Sequence, residues 1–447
     1  MIYLRRKGLV SVSMIFISEL HSYSYCWLGD RFPPIVVHPS LGARLQTLFR
    51  SEQHPRFTCP QQAELVQTCM TDDHVLAVMP TGSGKSLAFF AAPILFPDHL
   101  FIVITPLVAL TEDLTRRLAS MPIRGGSYNS VKDPLSAQLI IVSAHQAGTT
   151  SFLQWAKAFG RHIKRFFIDE AHHIYTSDDY RECFKLFRFI TRLCIPITFL
   201  SATIAPRSLT KLCKAMDIPP RLVRVIRAPL NRPNIQYRVV KADRDGVIES
   251  FMNIFNSIKL SGQDRGIIYC TRLDLIAELH ESLQIPYYTS KLRPDIDDAS
   301  NALEKTRRFQ AWRDGADEKS RWMLATLCFG EGIDFPSVRC VIHIEVRNML
   351  RFLQESGRLG RDGGASQSIV LYSTLPPLLD TDRDPHTGVL SMREFLTTNQ
   401  CRRLAFKEFD PDTHSCAANH ANLLCDQCEA LSKVCTLLEI INSCIDD

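Results

Sequence analysis

Residues 75–86 have the sequence VLAVMPTGSGKS, a short apolar run that leads directly into a glycine-rich loop. The run predicts a buried strand, and the loop is typical of a phosphate-binding turn that opens a helix. Gly82 and Gly84 allow backbone N–H groups to close on phosphate oxygens. Lys85 can reach the outer phosphates, and the Ser86 hydroxyl can hold Mg²⁺. The stretch therefore predicts an α/β sheet domain that binds ATP or GTP.

A second apolar run, residues 166–168, is followed at once by the sequence DEAH at 169–172. In an open α/β sheet, ligands bind at the carboxyl ends of the strands, where these acids are expected. Asp169 can hold Mg²⁺, and Glu170 can position and deprotonate an attacking water. Acids that complement the dipole at the start of a helix are the alternative. The phosphate-binding loop upstream favours the hydrolytic site.

Residues 354–361, QESGRLGR, carry two arginines three positions apart, so that one helical turn could present both to the same face. Arg358 and Arg361 are candidate arginine fingers, which neutralise charge on a transferring phosphoryl group and supply about 10³ to 10⁵ in rate. A solvated basic turn is the alternative. The order of motifs along the chain favours the fingers.

With these motifs in hand, the chain resembles the RecQ helicases of helicase superfamily 2, over about residues 55–430. The resemblance also rests on further blocks in the family's order: FTCPQ at 57–61, TPLVALTEDL at 105–114, SAT at 201–203, RPNIQY at 232–237, GIIYCTR at 266–272 and ATLCFGEGID at 325–334. It implies a DNA-stimulated ATPase that moves 3′ to 5′ on single strands and separates duplexes. Single-stranded and partially duplex DNA are the expected partners, and protein partners are not predicted.

The resemblance also implies the roles of individual residues. Catalysis is assigned to Lys85, Asp169, Glu170, Gln354, Arg358 and Arg361. Nucleotide binding is assigned to Gln61, Thr81, Gly82, Ser83, Gly84, Lys85, Ser86, Gly332 and Asp334, with Ser86 and Asp169 holding Mg²⁺. DNA contacts are assigned to Thr105, Pro106, Tyr175, Tyr180 and Arg181.

Several positions depart from the family. Met79 stands where the strict phosphate-loop pattern has glycine, and Thr58 stands where the family has arginine. The segment after DEAH lacks the tryptophan of the family's DNA-sensing loop. Tyr175 and Tyr180 could stack on bases, worth about 1 to 3 kcal/mol each, or could pack on the lobe. The chain also stops soon after its cysteine-rich segment, without room for the winged-helix and terminal helical domains of many relatives, so weak unwinding of long duplexes is expected.

Alternating apolar runs and amphipathic segments predict the architecture. Strands are expected at 75–78, 101–104, 139–142, 166–168 and 197–200, and again at 267–269, 322–325, 341–344 and 369–371. The pattern predicts two parallel-sheet domains. The resemblance implies that both are RecA-like and that a small helical zinc-binding subdomain follows them. The predicted limits are 1–50 for an N-terminal extension, 51–228 and 229–375 for the two sheet domains, and 376–447 for the subdomain.

Six of the fifteen cysteines lie in the last fifty residues, and four of them have a pattern typical of a metal site. Cys425 and Cys428 have the two-residue gap that lets both thiolates reach one tetrahedral zinc. The resemblance implies that Cys401 and Cys416 complete a structural Zn²⁺ site. Unconnected free thiols, or His414 or His420 in place of Cys416, are the alternatives.

Composition indicates a globular chain, with 45% hydrophobic and 22% charged side chains. A net charge of +5 is too small for whole-molecule attraction to explain nucleic-acid binding, so a local basic groove is expected. The apolar run at residues 9–17 faintly imitates a secretory signal, but zinc-binding thiols and ATP use argue against secretion. No membrane span is expected. The predicted location is the nucleus if the source is eukaryotic, and otherwise the cytoplasm.

Two alternative functions stay open. The chain could be a degenerate or truncated copy that binds nucleotide and nucleic acid without productive unwinding, because the loop after DEAH is altered. It could also be a relative that acts on RNA. The intact set of catalytic residues argues against the first alternative, and the RPNIQY block and the cysteine module argue against the second.

Overall fold

The computed structural model describes residues 57–106, 108–176, 188–289, 297–326, 329, 335–378 and 384–445. In these residues the chain forms two parallel β-sheets and a C-terminal segment that contains the cysteines. The predictions for residues 1–50 and for Tyr180, Arg181, Gly332 and Asp334 lie outside the described residues.

The first lobe is built on a seven-stranded sheet. Its strands are β1 His74–Val78, β2 Leu100–Thr105, β3 Gly125–Ser127, β4 Leu139–Ser143, β5 Ile163–Ile168, β6 Ile197–Ser201 and β7 Val223–Arg227. Their spatial order is β3-β4-β2-β5-β6-β1-β7, and each neighbouring pair is parallel. The strands that precede the phosphate-binding loop and DEAH are therefore separated by a single strand, β6.

Among the described residues, the α-helices that accompany this sheet are α1 Pro60–Gln67, α2 Leu87–Leu95, α3 Val108–Ala119, α4 Ala144–Ala147, α5 Thr150–Ala158, α6 His173–Thr176 and α7 Leu209–Ala215. Local sequence sets several of their ends. α1 begins with Pro60, whose missing N–H costs nothing at the first helical position. α4 begins with a capping box in which Ser143 and Gln146 satisfy each other's backbone N–H groups.

The second lobe is built on a six-stranded sheet. Its strands are β8 Ile235–Lys241, β9 Arg265–Cys270, β10 Tyr287–Tyr288, β11 Trp322–Ala325, β12 Val338–Ile344 and β13 Ser366–Tyr372, in the spatial order β10-β11-β9-β12-β13-β8. Its helices are α8 Val247–Ser257, α9 Leu273–Leu283, α10 Asp298–Asp314 and α11 Met349–Ser356. Asn348 caps α11 by accepting a hydrogen bond from the backbone N–H of Arg351.

Each sheet is covered on both faces by an apolar cluster. Alternate residues of β1 enter different clusters: Leu76 and Val78 on one side, Val75 and Ala77 on the other. Ile267 and Ile268 of β9 divide in the same way in the second lobe. Burial on both faces explains why these strands are continuous apolar runs and not alternating ones.

The C-terminal segment packs on the second lobe. It contains α12 Asp384–Thr387, α13 Val389–Thr397, α14 Asp426–Ile445 and two short 3₁₀ helices, Arg402–Phe406 and Cys416–Ala418. Phe395 of α13 and Phe406 lie in ring contact with Tyr237 of β8 and Phe352 of α11. This aromatic cluster joins the cysteine-rich segment to the helix that carries Gln354.

The predicted pair of parallel-sheet domains is confirmed, and each predicted strand overlaps an observed one. Four further strands, β3, β7, β8 and β10, were not predicted. The four domain limits stay predictions. No helix among the described residues combines the length and apolarity needed to cross a bilayer.

Candidate functional site

The phosphate-binding loop lies at the carboxyl end of β1, where two glycines adopt left-handed backbone conformations. Gly82 has φ +81° and Gly84 has φ +78°, values that a side chain at either position would strain. Lys85 donates from Nζ to the carbonyl oxygens of Met79 at 2.8 Å and of Pro80 at 3.2 Å. Two carbonyl oxygens of its own loop thus hold the ammonium group.

Two side chains that precede the phosphate-binding loop in the sequence hold it by hydrogen bonds. Gln62 donates from Nε2 to the carbonyl oxygen of Gly84 at 3.1 Å, and its Oε1 accepts from the backbone N–H of Thr58. The Thr58 hydroxyl donates to the carbonyl oxygen of Ser83 at 2.8 Å. The side chain that contacts the loop is therefore that of Gln62, one residue beyond the predicted Gln61.

The two predicted acids lie at the carboxyl end of β5. Asp169 accepts from the backbone N–H of Glu170 at 3.0 Å, and its own N–H donates to the carbonyl oxygen of Ile104 in β2. Glu170 has φ +46°, a strained conformation for a residue with a side chain, and such strain clusters at functional sites. The backbone is thus held so that the two carboxylates lie side by side.

The environments of the two carboxyl groups shift their pKa values in opposite directions. Burial, and then the neighbouring Glu170 charge, raise the pKa of Asp169. Burial also opposes ionisation of Glu170, but the neighbouring His172 and the positive charge of Lys85 outweigh it and lower the pKa of Glu170. Glu170 is therefore the carboxylate that stays ionised more readily.

His172 connects Glu170 to the second lobe. Its Nδ1 lies 3.3 Å from Oε2 of Glu170 and 3.2 Å from the hydroxyl of Ser201, at the end of β6. Its Nε2 lies 2.9 Å from Nε2 of Gln354, on α11. One buried imidazole thus contacts both the predicted hydrolytic acid and the predicted glutamine of the opposite lobe.

The loop after α11 lies against the phosphate-binding loop. The Thr81 hydroxyl donates to the carbonyl oxygen of Gly357 at 2.6 Å. A Cβ at Gly82 would lie 3.6 Å from Cγ of Arg361. Burial lowers the pKa of Lys85, the charges of Glu170 and Asp169 oppose that shift, and those of Arg361 and Arg358 add to it. Both arginines therefore face the same cleft as Lys85.

Three side chains predicted to contact DNA lie in the interior. Thr105 is fully buried at the end of β2, and its hydroxyl lies 2.6 Å from that of Thr111. Pro106 is buried as well. Tyr175 is 6% exposed and packs in the core of the first lobe, with its ring edge-on to His386 at 5.8 Å. In this conformation none of the three side chains presents a surface to a strand, and the DNA contacts assigned to them stay predictions.

Sequence reasoning missed Gln62 and the bridging role of His172. In the sequence, His172 is only the last residue of the DEAH motif. A histidine close to a hydrolytic acid is nevertheless a candidate hydrogen-bond partner. Gln62 carries a weaker signal, because the chain has two adjacent glutamines and only the helical phase of α1 selects between them.

The four predicted metal-binding cysteines converge. The Sγ atoms of Cys401, Cys416, Cys425 and Cys428 all lie within 4.8 Å of one another. Cys401 Sγ lies 3.5 Å from Cys416 Sγ and 4.0 Å from Cys425 Sγ. Four thiolates at about 2.3 Å from a tetrahedral zinc lie about 3.8 Å apart, so the spacing fits that ion.

The surroundings of the cluster also suit thiolates. Backbone N–H groups of Cys416 and Arg402 donate to the Sγ atoms of Cys401 and Cys425 at 3.2 and 3.4 Å. The Arg403 guanidinium donates to Cys416 Sγ at 3.3 Å. Such donors stabilise negative charge on sulfur, as a metal-bound thiolate requires.

Each of the two lobes matches a known protein family. Residues 59–212 match the family described as DEAD/DEAH box helicase, and residues 246–363 match the helicase conserved C-terminal domain. The chain therefore carries the two domains of an ATP-hydrolysing helicase.

Within that class, the curated relatives include RecQ-type helicases at 25–28% identity. A putative ATP-dependent DNA helicase Q1 from Caenorhabditis briggsae is 27% identical over 91% of this chain and 67% of its own length. The ATP-dependent DNA helicase Q1 of Pongo abelii is 27% identical over 86% of this chain and 61% of its own length. A putative ATP-dependent RNA helicase from Acanthamoeba polyphaga mimivirus is 27% identical over 82% of this chain. The chain covers only 28% of the length of a helicase relative from Saccharomyces cerevisiae.

Solved structures agree on the fold. Mss116p, determined with single-stranded RNA and AMP-PNP, has a TM-score of 0.59 at 15% identity and covers 78% of this chain and 74% of its own. The helicase MrfA, determined with DNA, has a TM-score of 0.57 at 15% identity and covers 77% of this chain and 52% of its own. At these identities the similarity establishes the two-lobed architecture.

Proposed function

We propose that this chain is an ATP-dependent DNA helicase or single-strand translocase that moves 3′ to 5′. The observation that carries the proposal is the continuous contact from Glu170 through His172 to Gln354, beside the phosphate-binding loop. It links the candidate hydrolytic acid of one lobe to the other lobe. Hydrolysis can therefore be coupled to the relative position of the lobes, which is the motion a translocase needs.

The nucleotide is proposed to bind between the lobes. Backbone N–H groups of residues 81–86 surround the phosphates, and Lys85 turns from its own loop carbonyls to the outer phosphates. Gln61 keeps its predicted adenine-recognition role as a proposal, and Gln62 holds the loop through the carbonyl oxygen of Gly84. Gly332 and Asp334 keep their predicted nucleotide roles as proposals.

Mg²⁺ is proposed to be held by the Ser86 hydroxyl and the Asp169 carboxylate, oxygen donors of the kind that this hard cation prefers. When bound, the ion neutralises charge on the phosphates. Glu170, the more readily ionised acid, positions the attacking water and accepts its proton. Arg358 and Arg361 approach from the second lobe and stabilise charge on the transferring group.

A structural Zn²⁺ is proposed for the four-cysteine cluster. A closed set of four sulfur ligands leaves no position for substrate, so the site supports folding and not catalysis. The cluster is expected to hold the C-terminal segment against β8 and α11.

DNA is proposed as the substrate because the RecQ-type relatives are named as DNA helicases and the chain shares their motif order. The mimivirus relative named as an RNA helicase keeps RNA as the competitor. Tyr180 and Arg181 remain the proposed DNA contacts of the loop after α6. A nuclear location is proposed for a eukaryotic source. The degenerate-copy alternative is disfavoured, because the described catalytic side chains lie together around one cleft.

Strand separation on tailed duplexes tests the proposal. A short duplex with a 3′ single-stranded tail should be separated in the presence of ATP and Mg²⁺, and the same duplex with a 5′ tail should stay paired. An RNA duplex with the same tails serves as the competitor substrate. Separation that prefers the 5′ tail, prefers RNA, or proceeds equally without ATP would contradict the proposal.

A further inference from the structure

The RPNIQY segment, residues 232–237, was singled out by sequence but has no role in the site described above. Its first residues lie against the loop that carries Arg361. Arg232 donates from Nη2 to the carbonyl oxygens of Leu359 and Gly360, at 2.7 and 2.9 Å. Asn234 donates from Nδ2 to the carbonyl oxygens of Gly360 and Gly364, both at 2.9 Å. Two side chains thus hold three carbonyl oxygens of one loop.

The backbone of the loop requires this close approach. Gly360 has φ +45°, and a Cβ there would lie only 2.4 Å from Nδ2 of Asn234. The N–H groups of Gly360 and Arg361 donate to the carbonyl oxygens of Val338 and Pro336, and these two hydrogen bonds also hold the loop. The position of Arg361 is therefore defined by contacts on both sides.

Arg232 acts on the loop and not on the phosphate-binding site directly. Its guanidinium is engaged by two carbonyl oxygens of the loop, next to Arg361. Burial lowers the pKa of Arg232, and the nearby Arg361 charge adds to the shift. The two guanidinium groups therefore lie near each other, with Arg361 extending toward Gly82.

Arg403 anchors the segment from the opposite side. This fully buried guanidinium donates to Oδ1 of Asn231 at 2.6 Å and to the carbonyl oxygens of Arg232 and Ile235 at 3.1 and 2.8 Å. It also donates to Sγ of Cys416. A continuous set of hydrogen bonds therefore runs from the cysteine cluster, through Arg403 and residues 231–235, to the loop of Arg361.

We propose that Arg232 and Asn234 are positioning residues that hold Arg361 against the phosphate-binding loop, with Arg403 fixing them to the cysteine cluster. The inference rests on the proposed role of Arg361 in hydrolysis. Misplacement of a catalytic group by 1 Å can cost about 10²-fold in rate. Release of the loop should therefore reduce turnover and leave ATP binding by the first lobe intact.

Two variants test the clamp in the full chain. Asn234→Ala removes both hydrogen bonds of the amide, and Arg232→Lys replaces the guanidinium by a group that cannot form its fork. The steady-state ATPase at saturating single-stranded DNA should show a kcat lowered by about 10- to 10²-fold, with KM for ATP changed by less than about twofold. The matched control is Arg321→Lys: Arg321 is also half-buried and donates to the carbonyl oxygen of Leu260, away from the loop. That variant should keep kcat.

A double-mutant cycle separates positioning from general damage. If Asn234 acts through Arg361, then adding Asn234→Ala to Arg361→Ala should lower kcat no further. Effects that multiply would overturn the proposal, as would a normal kcat in both Asn234→Ala and Arg232→Lys. A normal kcat in Arg361→Ala would overturn the proposed function of that arginine together with the clamp, whereas loss in Arg361→Ala alone would overturn only the clamp.

Discussion

The side-chain amide of Gln354 lies 2.9 Å from Nε2 of His172, across the cleft between the two lobes. An amide N–H can only donate, so Nε2 of His172 accepts and the imidazole proton lies on Nδ1. Nδ1 in turn lies 3.3 Å from Oε2 of Glu170. The second lobe therefore fixes the tautomer of the residue that contacts the candidate hydrolytic acid, and this contact exists only when the lobes are close.

Gln354→Ala should uncouple the lobes. Loss of the amide leaves His172 free to change tautomer and to release Glu170, so kcat for ATP hydrolysis should fall by about 10- to 10²-fold with a small change in KM. Steady-state kinetics with single-stranded DNA checks this. The control is Gln310→Ala, which removes an exposed contact with Asp314 on α10 and should keep kcat. An unchanged kcat in Gln354→Ala would contradict the coupling role of this contact.

Lys85→Ala should lower ATP hydrolysis by at least about 10²-fold without a change in the unfolding midpoint, because Nζ contacts carbonyls of its own loop and is proposed to serve the phosphates. ATPase and thermal unfolding measured side by side check both parts. Lys433→Ala, which removes an exposed pair with Glu429 on α14, is the control. Normal hydrolysis in Lys85→Ala would remove the basis of the nucleotide assignment.

Replacement of Tyr175 and of Tyr180 should affect two different properties, stability and DNA binding. Since Tyr175 is buried, Tyr175→Ala should lower the free energy of unfolding of the first lobe by about 3 to 5 kcal/mol. Tyr180→Ala should keep stability and weaken single-stranded DNA binding by about 1 to 3 kcal/mol. Denaturant unfolding and fluorescence anisotropy measure the two effects, and Tyr175→Phe serves as the control that keeps the buried ring. A Tyr175→Ala variant that unfolds normally but loses DNA affinity would show instead that Tyr175 contacts DNA.

The cysteine cluster should bind one zinc per chain when the protein is purified without added metal, since metal binding contributes directly to folding. Cys425→Ser removes a fully buried ligand, so the variant should lose metal and become protease-sensitive after about residue 376. Elemental analysis and limited proteolysis measure these changes. Cys435→Ser, at an exposed position outside the cluster, is the control. Absence of metal together with normal protease resistance in the wild type would defeat the zinc proposal.

The positions of the phosphate-binding loop and of DEAH could be predicted from sequence because each follows a buried parallel strand. β1 and β5 are continuous apolar runs, and the polar residues directly after them must lie at the same edge of the sheet. The contact of Gln62 with the loop could not be predicted, because neighbouring positions on a helix point in directions about 100° apart. The orientation of α1 against the loop brings Gln62 to the carbonyl oxygen of Gly84.

The burial of Tyr175 likewise could not be predicted from the sequence. An aromatic residue after a catalytic strand fits either a DNA surface or the core, and contact with residues far along the chain, such as His386, selects the core. The pairing of Cys425 with Cys428 follows from their spacing, whereas their meeting with Cys401 and Cys416 depends on the fold of the whole C-terminal segment. Long-range packing therefore accounts for most of what sequence reasoning missed.

Steady-state ATP hydrolysis, measured with and without single-stranded DNA, tests the central claim most directly. The wild-type chain should hydrolyse ATP in the presence of Mg²⁺ and should do so faster when single-stranded DNA is added. Glu170→Gln, which keeps the shape of the side chain but cannot accept a proton, should bind ATP and lose hydrolysis under both conditions. Hydrolysis that DNA leaves unchanged, or that survives in Glu170→Gln, would contradict the account.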